Sequence, residues 1–187
     1  MKKVLLAGLG NPGPKFEHTR HNLGIRVVQA WYEKASREAQ SVTDWNDNIQ
    51  IEASVAEVVV GDVKVICLFP LTFMNRSGWA IAAAMKKYGL MNNEDVLVVH
   101  DDIELPFGEM KFVEEGSAKG HNGIRSLFNV LGVQAVPRLR IGVGRPSEGM
   151  PTNEFVLAKF TEEEESQIEE AVIPRAIAVL GEQLQPS

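Results

Sequence analysis

The sequence predicts an α/β domain of three layers, α-β-α, with a mixed but largely parallel central sheet flanked by helices. Apolar runs bounded by turn residues alternate with amphipathic helical patterns, which is how helix-covered parallel strands read. Two extended runs are instead joined by Gly61-Asp62, a hairpin signal, and that pair makes the sheet mixed. The chain of 187 residues suffices for a single domain over residues 1–187, with a core that needs neither disulfides nor structural metal.

The elements follow in order. Residues 3–9 form a buried strand; two lysines precede its apolar run, but glycine, proline and charge break that run too soon for a signal peptide. From about Asn22 to Glu38, Leu23, Val27, Ala30 and Trp31 recur at helical spacing. Residues 49–60 and 63–69 read as the hairpin strands, with Ile49, Ile51, Ala53 and Val55 alternating. A helix is expected from about Asn75 to Tyr88, a buried strand at Val96–His100, a short helix after Gly120 and a strand at Leu139–Val143. Residues 145–187 are a loop followed by an acidic helical region: 145–153 are rich in proline and glycine, and Thr161 with Glu164 makes a capping box. Pro174 should kink or interrupt that last helix.

Composition narrows the setting. No segment approaches the run of about eighteen apolar residues that a membrane span needs, and a soluble, cytoplasmic protein is expected. Cys67 is the one cysteine and sits inside an apolar run, as a small hydrophobe would in a reducing compartment. The net charge of −6 is local: residues 151–187 hold Lys159 and Arg175 against eight acidic groups, while residues 1–150 balance at 17 of each sign. A neutral body can present a basic face, and the acidic tail reads as a solvated helix face.

The histidines His18, His21, His100 and His121 all sit beside turns or strand ends, where an open α/β sheet gathers its ligands. Gly8, Gly10 and Gly13 match the dinucleotide spacing, but Pro12 and Pro14 delay the helix that would have to cradle a pyrophosphate. No nucleophile elbow surrounds Ser117, and Cys67 lies mid-strand. His100, Asp101 and Asp102 are adjacent on a strand and so alternate between its faces, which argues against a metal site; no cofactor is expected. What remains is a general base without a covalent nucleophile: a histidine, a carboxylate such as Asp101 to orient it, and amides to position substrate. Asn11, Asn75 and Asn122 supply such amides, although each also suits a turn or a helix cap, and His21 and Asp101 also suit local structural roles.

The motifs that carry a resemblance are GLGNPGPKF and TRHNLG within 8–24, PLTFMNRSG at 70–78, VVHDDIELPFG ending at 108, GHNGIRSL at 120–127, PRLRIGVGRP at 137–146, and the closing NEFVLAKFTEEE. In this order, and over nearly the whole chain, they resemble the bacterial peptidyl-tRNA hydrolases. The resemblance implies an enzyme that cleaves the ester between a peptide and the 3′ ribose of tRNA, recycling tRNA from aborted translation. By motif position it implies His21 as general base with Asp101 as its partner. Asn11 would sense the blocked amino group, Asn75 and Asn122 would bind substrate and place water, and Phe16, Phe73 and Met74 would wall the cleft. Lys111 and Arg140 resemble parts of a basic track for phosphate, and Lys119 and Arg138 are candidates on charge alone. The expected partner is the acceptor end of peptidyl-tRNA, bound by a monomer with no metal and no obligate protein partner.

Two positions depart from the family's pattern. Phe16 stands where the family usually has tyrosine, keeping a stacking face and losing a hydroxyl. Val113, Glu114 and Glu115 stand where it tends to be basic and glycine-rich, which should weaken phosphate affinity. Plant organellar relatives act as RNA splicing factors, a different class of function. The presence of His21, Asp101 and all three asparagines favours the enzyme.

Overall fold

The structure, a computed structural model, describes residues 1–185. Its sheet is built from β1 (Lys2–Gly8), β2 (Ser41–Val42), β3 (Asn46–Asn48), β4 (Ala53–Val60), β5 (Val63–Pro70), β6 (Val96–Asp102), β7 (Met110–Val113) and β8 (Arg138–Gly142). The order is β2-β4-β5-β1-β6-β8-β7, with β3 also paired to β4. The four central strands β5, β1, β6 and β8 are parallel. The outer pairings, including the Gly61-Asp62 hairpin between β4 and β5, are antiparallel.

Strand alternation sorts the apolar residues onto two faces. Val4 and Leu6 of β1 and Leu97 and Val99 of β6 face α1 (Leu23–Ser36) and α6 (Ile173–Gln183). Leu5 and Ala7, with Val96 and Val98, face α2 (Ser77–Tyr88) and α3 (Asn122–Leu131). Both faces are therefore covered, which is why the central strands read as unbroken apolar runs. Each fully buried leucine or isoleucine in them contributes about 1.5–3 kcal/mol of burial.

Strand β1 lies between β5 and β6, and the chain passes from one side of it to the other, so the carboxyl ends of β1 and β6 form the topological switch point. Glycines let α1 begin there. A Cβ on Gly24 would fall on the carbonyl oxygen of Val99, and one on Gly8 would lie 2.5 Å from the carbonyl oxygen of Gly24. Backbone contact between helix and strands thus plants the 3-10 turn Arg20–Asn22, which leads into α1, at the strand ends.

Several elements differ from expectation. Residues 49–52 turn rather than extend: Ile49 is 89% exposed while Ile51 is buried, and the strand begins at Ala53. Strands β2, β3 and β7 escape the periodicity because they are short and none of their residues is fully buried. The stretch 145–153 is a loop only to Pro151, after which α4 (Thr152–Leu157) buries one side chain, Val156, too few for a helical pattern. The capping box of Thr161 and Glu164 opens α5 (Glu162–Gln167) as expected. Pro174 marks an interruption of the last helix, as expected: a π-helical turn over Ile168–Val172 separates α5 from α6, and Pro174 lies in the first turn of α6, where its lack of an N–H is tolerated.

The acidic tail is more than a solvated face. Glu164 accepts two hydrogen bonds from Arg20, and Glu165 and Glu169 accept from Arg26. Arg20 also donates to the carbonyls of Ala158 and Lys159, with its guanidinium over the rings of Phe155 and Phe160. One nearly buried arginine, next in sequence to His21, therefore ties α4 and α5 to the opening loop.

Candidate active site

The loop after β1 is held by side-chain amides. Asn22 accepts from the Asn11 backbone N–H at 2.8 Å and donates to the Asn11 carbonyl at 2.9 Å, taking the place of a neighbouring strand. The Asn11 Oδ1 accepts from the Met74 N–H at 2.8 Å. That bond settles the orientation of the buried Asn11 amide and leaves its NH2 for the cavity it lines. The loop bearing Met74 and Asn75 is fixed from the other side, because Gly78 packs against Ser126 of α3 and donates its N–H to the serine hydroxyl at 3.0 Å.

At the end of β6, Asp101 is 1% exposed and accepts from two histidines. Its Oδ1 lies 2.9 Å from His21 Nδ1 and 2.9 Å from His121 Nε2, and its Oδ2 lies 3.0 Å from the same His21 nitrogen. His121 caps α3, its Nδ1 accepting from the Gly123 and Ile124 N–H groups at 3.1 and 3.3 Å. A nitrogen that accepts carries no proton, so His121 is the neutral Nε2–H tautomer and donates to Asp101. His21 likewise directs its Nδ1–H at the carboxylate. Its Nε2 lone pair is then the free base of the site.

The electrostatics follow from burial and pairing. Burial disfavours the charged His21 ring, but the charge and hydrogen bond of Asp101 outweigh it and leave the pKa raised above the ordinary 6.5. Burial would push Asp101 up, yet the two histidines hold its carboxyl well below the usual range. His100 turns away, donating from Nδ1 to the Asp101 carbonyl at 2.7 Å; burial first and the neighbouring His121 next keep it neutral. Asp102 accepts from Arg140 Nε at 2.6 Å and from the Glu104 N–H at 2.7 Å. His21, Asp101 and His121 have the proximity of a metal triad, but the His121 lone pair is engaged by two backbone amides and its other nitrogen carries the proton. The donor set fits a proton relay, not a cation.

A cavity of about 600 Å³ opens over these groups. Its lining includes seven of the eight residues expected to catalyse or bind: Asn11, His21, Phe73, Met74, Asn75, Asp101 and Asn122. Phe16 is not among its lining residues; it sits edge-on to the exposed Phe73, with ring centroids 6.3 Å apart. Asn75 and Asn122 do not cap the helices that follow them. The position before α2 makes no side-chain cap, and α3 is capped by His121.

The basic track is reduced in the structure. Arg140 is paired with Asp102 and 13% exposed. Arg138 is buried, donating to the carbonyls of Gly116 and Ser117, so it is structural and unavailable to phosphate. Lys111 is exposed and pairs with Arg140 across β7 and β8, outside the cavity lining.

A family model for peptidyl-tRNA hydrolase matches residues 5–185. The chain is similar to peptidyl-tRNA hydrolases of Bacillus subtilis (41% identical over 172 residues, covering 90% of this chain and 86% of that protein) and Chloroflexus aggregans (40% over 174 residues, 93% and 86%). The chain belongs to the peptidyl-tRNA hydrolase family. The fold agrees: a crystal structure of peptidyl-tRNA hydrolase from Acinetobacter baumannii superposes with a TM-score of 0.82 at 26% identity, over 98% of this chain and 93% of that one.

Three features of the site escape sequence reasoning. His121 belongs to the site, whereas the sequence places it only beside a turn; the available signal is a histidine directly before a helical pattern, where an N-cap acceptor is needed. Asn22 does its work through backbone groups and leaves no trace in spacing. The α4 wall, contributing Thr152, Asn153, Val156 and Leu157, lies in a stretch whose proline and glycine suggest a loop.

Proposed function

We propose that this chain hydrolyses the ester between a peptide and the 3′ ribose of tRNA in the cavity over Asp101, releasing tRNA from aborted translation. The observation that carries the reading is the pairing of Asp101 with both histidines, which leaves His21 Nε2 as an oriented lone pair at the cavity. In this reading His21 Nε2 takes a proton from water as the oxygen attacks the ester carbonyl. Asp101 stabilises the imidazolium that forms, while His121 holds the carboxylate in place. The tetrahedral intermediate then collapses, the ester C–O bond breaks, and the departing 3′ oxygen takes the proton back from His21. The products are free peptide and tRNA.

The amides position the substrate. Asn11, with its oxygen engaged by Met74, offers only N–H donors, which suits the carbonyl of a blocked amino group and not an ammonium. Asn75 and Asn122, both exposed at the cavity, supply donors for the water and the developing oxyanion. Phe73 and Met74 offer an apolar wall for the terminal nucleotide, and Phe16 supports Phe73 from the rim. Lys111 is the outer part of the phosphate track, with Arg140 beside it. In this reading the protein acts as a monomer and is cytoplasmic, the second of which the buried free thiol of Cys67 supports.

The test is release of tRNA from N-blocked aminoacyl-tRNA by wild type and by His21→Ala. Wild type should release tRNA and the variant should bind without turnover. Equal release by the two would refute His21 as the base.

A further inference from the structure

The turn that delivers His121 and Asn122 to the cavity has an unusual corner. The His121 N–H donates to the Ala118 carbonyl at 2.9 Å, and the two residues between them are both left-handed, with φ of 48° at Lys119 and 81° at Gly120. Two consecutive positive φ values define a type I′ turn, whose first corner is normally asparagine, aspartate or glycine. A lysine there holds its backbone in a region that its Cβ disfavours.

Lys119 is also the one lysine or arginine lining the cavity among the described residues. It is exposed and makes no ion pair there. Outside the cavity lining, Lys111 is exposed beside Arg140, whereas the three arginines near this end of the sheet are engaged. Arg140 is held by Asp102, Arg145 by Glu104, and Arg138 by backbone carbonyls. The cavity itself carries two carboxylates, Asp101 and Asp102. An anionic substrate entering it therefore meets a single unpaired positive charge, placed by a strained corner next to the catalytic turn. Strain retained at a site edge calls for a compensating function.

We propose that Lys119 is the cavity's phosphate contact. On the reading of this cavity as the ester-hydrolysing site, its ammonium binds the phosphodiester nearest the scissile ester, one ribose away from the 3′ oxygen. The contact is a charge-assisted hydrogen bond at the solvent boundary, so it acts on binding and not on the proton transfer.

Lys119→Gly and Lys119→Gln test this together. Glycine relieves the corner and removes the charge; glutamine keeps the strain and much of the reach but is neutral. Both should raise KM for N-blocked aminoacyl-tRNA by roughly three- to tenfold with the effect confined to KM. Both should weaken uncharged tRNA by the same factor and lower the slope of log affinity against log salt by about 0.7. Lys119→Gly should melt no lower than wild type. Wild-type KM and salt slope in both variants would overturn the proposal. So would a higher KM in glycine alone, which would indict the backbone, or a higher KM with unchanged affinity for uncharged tRNA, which would place the lysine on the peptide. Failure of wild type to release tRNA would instead sink the hydrolase reading, and the uncharged-tRNA arm would still report on Lys119.

Discussion

Replacing Asp101 with asparagine changes charge and hydrogen-bond polarity at nearly constant shape. In the native site one carboxylate oxygen accepts from His21 Nδ1 and His121 Nε2, each at 2.9 Å, and the other faces His21 Nδ1 at 3.0 Å. The asparagine oxygen can keep the shared position, because His121 must donate there while its other nitrogen caps α3. The amide NH2 then faces His21 Nδ1 and sets a donor against a donor. The ring resolves the conflict by moving its proton to Nε2, the atom that has to accept one from water. Losing a positioned general base costs about 10²- to 10⁴-fold in rate. At 1.36 kcal/mol for each factor of ten, that is about 2.7–5.4 kcal/mol of barrier. The assay is single-turnover release of tRNA from N-blocked aminoacyl-tRNA, repeated across pH, with a melting curve to show that the variant folds. Asp101→Asn should lose rate without a matching rise in KM, and any residual ascending limb should move to lower pH because the charge that raises the His21 pKa is gone. A variant within a few-fold of wild type, with its limb in place, would refute the role given to Asp101.

Three further outcomes follow from the geometry. The rate of wild type should rise with pH through a value above the ordinary 6.5 of histidine, since His21 must be neutral to act. The stability contributed by its ion pair runs the other way, complete below 6.5 and lost as pH rises through the raised folded value, so parallel pH profiles of kcat/KM and of melting should diverge in that window. Asn11→Asp keeps an oxygen for the Met74 N–H and removes the donors, and should cut the preference for blocked over free aminoacyl-tRNA roughly tenfold; an unchanged preference would remove Asn11 from that role. Arg20→Gln removes a carboxylate pair and a ring contact that hold α4 and α5 to the opening loop, and should cost about 2–3 kcal/mol, or roughly 4–12 °C in melting temperature, with faster amide exchange over residues 152–160. Unchanged melting and exchange would show that the staple is dispensable.

Much of the fold was legible in sequence because it rests on local rules, whereas the residues of the candidate site were marked by the resemblance of their motifs. Apolar runs and helical spacing predicted the parallel core, the Gly61-Asp62 hairpin and the helices on both faces. Pro12 and Pro14 separated the opening glycines from a phosphate loop, and the family motifs marked His21, Asp101 and the three asparagines. The short edge strands and α4 stayed hidden because they bury too little to leave a period.

Tertiary structure alone decided which charges and amides are available. Arg138 and Arg140 look equivalent to Lys119 as positive charges in sequence, yet one is buried on carbonyls and another is held by Asp102. The Glu162–Glu165 block reads as a solvated run, yet half of it binds Arg20, Arg26 and His18 across the fold. His121 gains its tautomer only when β6 brings Asp101 to its free nitrogen. Periodicity records which face of an element is buried, whereas partners far apart in the chain meet only when the sheet order brings them together, and a charge has no fixed meaning until its partner is known.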